Sequence, residues 1–128
     1  MIIDTSAMVA ILYREGEAEA FARLIHDAEV SRISVANYVE LSMVIENQLG
    51  PEGMRQAEAF FRRAGITIEP VTIEHGELAR QAFFDFGIGR HRAGLNYGDC
   101  FAYALAKATG EPLLFKGNDF SQTDIAAA

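Results

Sequence analysis

The sequence alternates short apolar runs with longer stretches whose apolar residues recur at helical spacing, and this alternation is what most constrains the fold. The short runs cover residues 1–3, 33–35, 66–68 and 113–115. The helical stretches cover residues 6–14, 17–28, 36–49, 51–64, 73–86 and 96–109. Strands that alternate with helices are typical of a largely parallel sheet covered by helices on both faces. The pattern therefore predicts an α/β fold with a short, mostly parallel sheet.

The chain length and composition favour one ordinary globular domain. A chain of 128 residues without repeats or linkers predicts a single domain over 1–128. With 50% apolar and 23% charged residues, a mostly disordered chain is excluded. No apolar run approaches the ~18 residues of a membrane span, and no signal peptide is expected, so we predict a cytoplasmic protein. The single cysteine, Cys100, excludes a disulfide within the chain. We expect the three alanines at 126–128 to be frayed.

Acidic side chains follow the first and last predicted strands and also lie in two predicted helices. Asp4 comes directly after the first run, and Asp119 comes four residues after the last. If both strands are central and parallel, these acids lie at the same edge of the sheet, where α/β proteins bind ligands. Glu40 lies among apolar helical neighbours, so it either faces solvent or meets a cation. Asp99 lies in the first turn of its helix.

Ordinary structural roles are also open to these acids. Asp4 suits a helix cap, Asp99 suits the positive end of a helix dipole, and Asp119 suits a turn. Together, however, they would repel one another, because two charges ~4 Å apart cost roughly 4 kcal/mol at an effective dielectric constant near 20. A divalent cation would offset this repulsion, and oxygen ligands suit Mg²⁺ or Mn²⁺. The cluster therefore favours metal-assisted hydrolysis of a phosphate ester.

Four motifs in this order resemble a known family. They are Ile3-Asp4-Thr5-Ser6, Glu40 in a mid-chain helix, Leu95-Asn96-Tyr97-Gly98-Asp99, and Leu113-Leu114-Phe115-Lys116-Gly117-Asn118-Asp119-Phe120. The chain resembles the PIN domain from residue 1 to about residue 125, and in particular the VapC-type toxins of bacterial toxin–antitoxin modules. The stretch 89–94 before Asp99 is also similar to one VapC subgroup.

The resemblance implies a three-layer α/β/α sandwich and a Mg²⁺- or Mn²⁺-dependent endoribonuclease that leaves a 5′-phosphate and a 3′-hydroxyl. It also implies inhibition by a cognate VapB-like antitoxin, and a homodimer or a hetero-oligomer with that antitoxin. Asp4, Glu40 and Asp99 match the family's three main acids. In the family, the equivalents of Asp4 and Asp99 commonly hold the metal, and we expect Glu40 to help them. Asp119 is assigned as the fourth catalytic acid, with Asn118 and Asp124 as alternatives.

The expected mechanism follows from these roles. The metal lowers the pKa of a bound water, and that water attacks an RNA phosphodiester in line. Glu40 orients the water or accepts its proton. Thr5 and Ser6 contribute hydroxyl groups to the site, and no histidine is needed as a base.

RNA binding is not favoured by the overall net charge of −7. When four acids are assigned to the site, 14 acids and 11 basic residues remain, so contact with RNA requires a local basic patch. The candidates are Arg90, His91, Arg92 and Lys116, which flank two of the motifs, with Asn118 beside Lys116 in the last one. Adjacent phenylalanines in two helices, Phe60-Phe61 and Phe83-Phe84, favour an interface with a partner protein.

Three other interpretations compete with the nuclease. Phosphatases that use an aspartyl nucleophile also carry an Asp after the first strand, but they expect a second Asp two residues later, where this chain has Ser6. A phospho-acceptor domain expects an Asp after the middle strand, where this chain has Glu69-Pro70. The remaining alternative is a PIN-like module that binds RNA or protein without catalysis. Retention of at least three acids favours the enzyme.

Overall fold

The sheet has four strands, and all of them are parallel. In the computed structural model, which describes residues 1–128, the strands lie in the order β3-β2-β1-β4. They are β1 (Ile2–Ile3), β2 (Arg32–Ser34), β3 (Thr67–Glu69) and β4 (Leu113–Leu114). The predicted short parallel sheet is confirmed. The predicted runs at 33–35 and 66–68 are each displaced by one residue, because the pairing of Arg32 with Thr67 and of Ser34 with Glu69 fixes the register.

Five helices and one 3₁₀ turn connect the strands. They are α1 (Thr5–Leu12), α2 (Ala18–Asp27), α3 (Val35–Ala64), α4 (Ile73–Phe86), α5 (Tyr97–Thr109) and the 3₁₀ turn Phe120–Gln122. Side-chain caps start four of the helices: Asp4, Ser34, Thr72 and Asn96 each accept a hydrogen bond from a backbone N–H in the first turn. None of the helices is both long and apolar enough to span a membrane.

The central strand divides the apolar core into two parts. Ile2 packs with residues of α4 and α5, whereas Ile3 packs with residues of α1, α2 and α3. Leu113 and Leu114 of β4 divide between the two sides in the same way, because successive strand residues point to opposite faces. The helices therefore form layers on both sides of the sheet, and the fold is a three-layer α/β/α sandwich.

The last strand differs from the prediction in its position and in its surroundings. β1 is central, but β4 lies at the edge of the sheet. Asp4 and Asp119 still follow strands at the same end of the sheet, because β1 and β4 are parallel. The alanines at 126–128 are not frayed, since Leu113 N donates to Ala126 O and Ala128 N donates to Leu113 O, each at 2.9 Å. The backbone groups at the edge of β4 hold the terminal residues in place.

The long helix α3 is interrupted at Gly50, between the two helices predicted there. Gly50 has φ 67° and ψ −164°, a conformation that is open almost only to glycine. Pro51 follows it and lacks the N–H that a continuous helix would need. The first half of α3, which carries Glu40, is therefore a separate helical segment from the second half.

We expect Gly50→Ala to lower the free energy of unfolding by about 1–3 kcal/mol, because a Cβ disfavours this backbone conformation. No atom would clash with the new methyl group, so the cost comes from the backbone alone. Chemical denaturation measures the change. Gly16→Ala is the control, since Gly16 has open space around it and no positive φ. Equal free energies of unfolding for Gly50→Ala and Gly16→Ala would contradict the explanation that the Gly50 backbone conformation interrupts α3.

Candidate active site

Asp4 is placed by the end of β1 and the start of α1. Its side chain is buried and caps α1: its Oδ2 accepts hydrogen bonds from Ser6 N at 2.9 Å and from Ser6 Oγ at 2.6 Å. Its other oxygen, Oδ1, is buried and has no hydrogen-bond partner. A buried carboxylate oxygen without a donor is costly, and native structures usually provide it with a partner, water or ion.

Ser6 also connects Asp4 to the turn after β4. The backbone N–H of Lys116 donates to Ser6 Oγ at 3.0 Å, and the same hydroxyl donates to Asp4. The Ser6 hydroxyl thus fixes the position of the Asp4 carboxylate relative to the segment that carries Asp119.

Glu40 reaches the site from the first half of α3. Thr5 Oγ1 donates to Glu40 Oε1 at 2.5 Å, and Asn37 Nδ2 lies 3.4 Å from the same oxygen. Asn37 and Glu40 share a helix face because they are three residues apart. No protein hydrogen bond reaches Oε2, so this oxygen is available to a ligand or water.

Gly98 allows the first turn of α5 to approach Glu40. A Cβ at Gly98 would overlap the Glu40 carboxylate, with Glu40 Cδ only 2.6 Å away. Asp99 follows and forms a reciprocal capping box with Asn96: Asp99 N donates to Asn96 Oδ1 at 2.9 Å, and Asn96 N donates to Asp99 Oδ2 at 3.0 Å. Asp99 therefore has the ordinary role expected of an acid at a helix start, since it caps α5 through the backbone N–H of Asn96. This role does not exclude a second one in the site.

The electrostatics show that the predicted acids lie near one another. Burial raises the pKa of Asp99 from its ordinary 3.8 to about 7, although the N–H of Asn96 opposes this rise. The charges of Asp4, Asp119 and Glu40 supply smaller parts of this same rise in the pKa of Asp99. Burial also raises the pKa of Asp4, against the hydrogen bonds from Ser6, and the charge of Glu40 adds to that rise. We call Asp4, Glu40, Asp99 and Asp119 the carboxylate cluster.

The three candidates for the fourth catalytic residue, Asp119, Asn118 and Asp124, differ in their exposure and hydrogen bonding. Asp119 is exposed, precedes the 3₁₀ turn, and makes no side-chain capping bond there. Asn118 is exposed beside it. Asp124 is engaged elsewhere, because it accepts hydrogen bonds from Tyr103 Oη and Lys107 Nζ, each at 2.7 Å, and these bonds hold the pKa of its carboxyl below the ordinary value. Of the three, only Asp119 acts electrostatically on Asp99.

Comparison with known proteins is consistent with this geometry. Residues 1–126 match the sequence model of the PIN domain. A Ribonuclease VapC of Mycolicibacterium smegmatis is 49% identical over 127 residues, which cover 99% of this chain and 98% of that protein. Ribonuclease VapC30 of Mycobacterium tuberculosis is 48% identical over 126 residues, covering 98% and 96% of the two chains. The chain belongs to the PIN domain family, among the VapC ribonucleases.

Solved VapC structures share the fold at low sequence identity. The crystal structure of Mycobacterium tuberculosis VapC20, a toxin that cleaves the sarcin–ricin loop, superposes with a TM-score of 0.80 at 18% identity and covers 99% of this chain and 97% of that one. VapBC2 from Rickettsia felis, solved bound to a DNA fragment from its promoter, gives 0.73 at 15% identity and covers 99% and 96%. These likenesses confirm the PIN fold.

The basic side chains predicted to bind RNA in this VapC homologue are not equally free. Lys116 Nζ forms ion pairs with Glu15 at 2.8 Å and Glu17 at 3.5 Å. The Arg90 guanidinium lies 5.0 Å from the centre of the Phe84 ring, and its Nε donates to Phe84 O at 3.3 Å. Arg92 is exposed, with no ion pair. Its charge is the most available to a phosphate.

A divalent cation fits the residues of this VapC-type site. Asp4 Oδ1 is buried without a partner, and the pKa values of Asp4 and Asp99 are raised first by burial and then by the neighbouring carboxylates, so a bound cation would relieve both costs. No three acidic, histidine or cysteine side chains are close enough together to hold an ion on their own. Mg²⁺ tolerates this arrangement, since it typically binds through one or two carboxylates and keeps several waters.

Two residues that shape the site, Asn37 and Gly98, are not among those predicted from the sequence. Asn37 lies three residues before Glu40, so the shared helix face is the one signal that points to it. Gly98 is adjacent to Asp99, but only the structure shows that Glu40 packs where its side chain would be.

We expect Gly98→Ala to displace Glu40, to lower the free energy of unfolding by about 1–3 kcal/mol through overpacking, and to reduce RNA cleavage. Denaturation and cleavage are measured on the same preparation. Gly76→Ala in α4 is the control: its methyl group meets nothing within 4 Å, so this change should stabilise the helix by about 0.5–1 kcal/mol and leave cleavage intact. Wild-type cleavage by Gly98→Ala would show that Glu40 does not need this close packing.

A second prediction concerns pH. Because the pKa of Asp99 is raised to about 7, the folded protein binds more protons than the unfolded chain between about pH 4 and pH 7, so this group destabilises the metal-free fold increasingly as pH rises through that window. Asp99→Asn removes the charge. We therefore expect its stability relative to wild type to increase from pH 4 to pH 7, measured by denaturation with chelator present.

The comparison variant is Asp124→Asn. The pKa of Asp124 is lowered, so its contribution begins to be lost only as pH falls below about 5, and its stability gap should stay constant between pH 5 and pH 7. A gap for Asp99→Asn that also stays constant would mean that Asp99 titrates normally.

Proposed function

We propose that this chain, as a single domain over 1–128, is a divalent-metal-dependent endoribonuclease toxin that works at the carboxylate cluster. The class of activity, a VapC-type ribonuclease, follows from the family. The observation that carries the assignment to this cluster is the buried, unpartnered Oδ1 of Asp4, a residue whose charge adds to the burial that raises the pKa of Asp99. Both features are costs to the metal-free fold, and bound positive charge removes both.

The four acids take different parts in this proposal. Asp4 and Asp99 would hold the cation, Mg²⁺ or Mn²⁺, because Asp4 is buried, burial raises the pKa of Asp99, and a backbone N–H donates to each of them. When bound, the cation supplies positive charge to the phosphate and lowers the pKa of a coordinated water. Glu40, held through Oε1, presents its Oε2 to orient that water or accept its proton. Asp119 closes the exposed side of the cluster.

The RNA-binding residues are assigned from their availability. Arg92 offers an unpaired charge, and Arg90 offers a guanidinium whose face is stacked on Phe84. Lys116 contributes only when phosphate displaces Glu15 and Glu17, and Asn118 lies exposed in the same turn. Thr5 and Ser6 serve mainly to position the acids, because their hydroxyl groups already donate hydrogen bonds to Glu40 and Asp4, respectively.

A cognate VapB-like antitoxin is the proposed partner, in the cytoplasm. One structural relative is a toxin–antitoxin complex from Klebsiella pneumoniae, with a TM-score of 0.73 at 15% identity and 99% of this chain covered. Large apolar side chains lie exposed beside Glu40: Met43 is 63% exposed and Tyr97 80%. Together with Val39 and Phe83 they form a surface that suits an antitoxin segment or a second copy in a homodimer.

The test of the function is cleavage of total cellular RNA by antitoxin-free protein with Mg²⁺, with Mn²⁺ and with chelator. We expect discrete products that need metal and that fall by at least about 100-fold in Asp99→Ala, because loss of a ligand should exceed the roughly 10- to 100-fold cost of losing a residue that only hydrogen-bonds to a ligand. Asp27→Ala, an exposed acid at the end of α2, should cleave like wild type.

Either of two results would contradict the proposal. Equal cleavage by Asp99→Ala and wild type would place the activity elsewhere. Metal-independent cleavage by all three proteins would indicate a different mechanism, and sequencing of the product ends would then identify it.

A further inference from the structure

Asn37 is fully buried in the first turn of α3, between two parts of the site. Its exposure is 0%. Its Nδ2 donates to the carbonyl oxygen of Gly98 at 2.9 Å, and it lies 3.4 Å from Glu40 Oε1. One side-chain amide thus contacts both the residue before Asp99 and the carboxylate of Glu40.

The orientation of this amide is determined by its partners. Gly98 O and Glu40 Oε1 are both acceptors, so the NH₂ end must face them. The Oδ1 end is then left buried without a donor. A buried acceptor without a partner weakens the fold, and an apolar side chain of similar shape would avoid that loss. Stability alone therefore does not account for an asparagine here.

The contact with Gly98 is also the one hydrogen bond between α3 and α5. Thr5 ties Glu40 to α1, but nothing else ties the helix of Glu40 to the helix of Asp99 by hydrogen bonding. The Glu40 carboxylate packs directly against Gly98, in the space that a Cβ would occupy. The spacing of this contact therefore depends on how α3 and α5 are held together, and the Asn37 amide supplies the directional bond between them.

We propose that Asn37 is a positioning residue that sets the distance between Glu40 and the first turn of α5, and so the geometry in which the carboxylate cluster binds its cation. The inference rests on the proposed function. Partners that orient metal ligands in this way contribute to metal affinity as well as to rate.

Two substitutions test it. Asn37→Leu keeps the size and removes both donors, and Asn37→Ser keeps a polar group but is too short to reach Gly98 in the same way. The serine variant keeps the test valid if the leucine variant does not fold. Ile45→Val is the control, because Ile45 is buried on the same half of α3 and contacts the core rather than the site.

The first readout is Mn²⁺ binding to the protein alone, measured by titration calorimetry, and the second is cleavage of total cellular RNA against Mn²⁺ concentration. We expect both asparagine variants to bind Mn²⁺ about 10- to 100-fold more weakly and to need correspondingly more Mn²⁺ for half-maximal cleavage. Cut positions should be unchanged. Ile45→Val should lower the melting temperature while Mn²⁺ affinity stays at the wild-type value.

A double-mutant cycle with Glu40→Gln then separates positioning from general destabilisation. If Asn37 acts through Glu40, Asn37→Ser should weaken Mn²⁺ binding much less in the Glu40→Gln background than in wild type. Equal effects in both backgrounds would overturn the inference, as would wild-type Mn²⁺ affinity in Asn37→Ser. Failure of the proposed function looks different: the wild-type protein itself would then cleave without metal or bind no Mn²⁺.

Discussion

The carboxylate of Asp4, buried at the end of the central strand, imposes the constraint on which the rest of the structure depends. A charge in that position is expensive unless it is stabilised from several directions. The first turn of α1 supplies N–H groups and the positive end of its dipole, and Ser6 supplies a hydroxyl that also reaches the turn after β4. The short parallel sheet makes this possible, because it brings the ends of β1 and β4 to the same edge.

The fold and the site share their residues. Asp4 caps α1 and Asp99 forms the capping box of α5, so removal of either acid would affect a helix start as well as the cluster. Mutual repulsion among the acids works against the fold in the absence of a cation. Binding of a cation then adds to stability, because the folded state presents the ligands together and the unfolded chain does not.

The sequence predicts the layers of this fold well, because caps and breakers are local. Gly50-Pro51, Gly65 and Gly110 end helices where they occur, and Asn96 begins one. The sequence predicts less well those features that depend on hydrogen bonds between residues far apart in the chain. The register of β3, the edge position of β4 and the ordered alanines at 126–128 arise from hydrogen bonds between remote segments. The pairing of Lys116 with Glu15 and Glu17, and that of Asp124 with Lys107, likewise join parts of the chain that no local pattern connects.

The pairing of Leu113 with Ala127 has a consequence for how the free protein behaves in solution. A parallel sheet that ended at β4 would present a row of unsatisfied backbone groups to any neighbouring chain. Here Ala126 and Ala128 take up the outer N–H and C=O of Leu113. This short cover lowers the tendency of the free protein to form intermolecular β-structure and to precipitate.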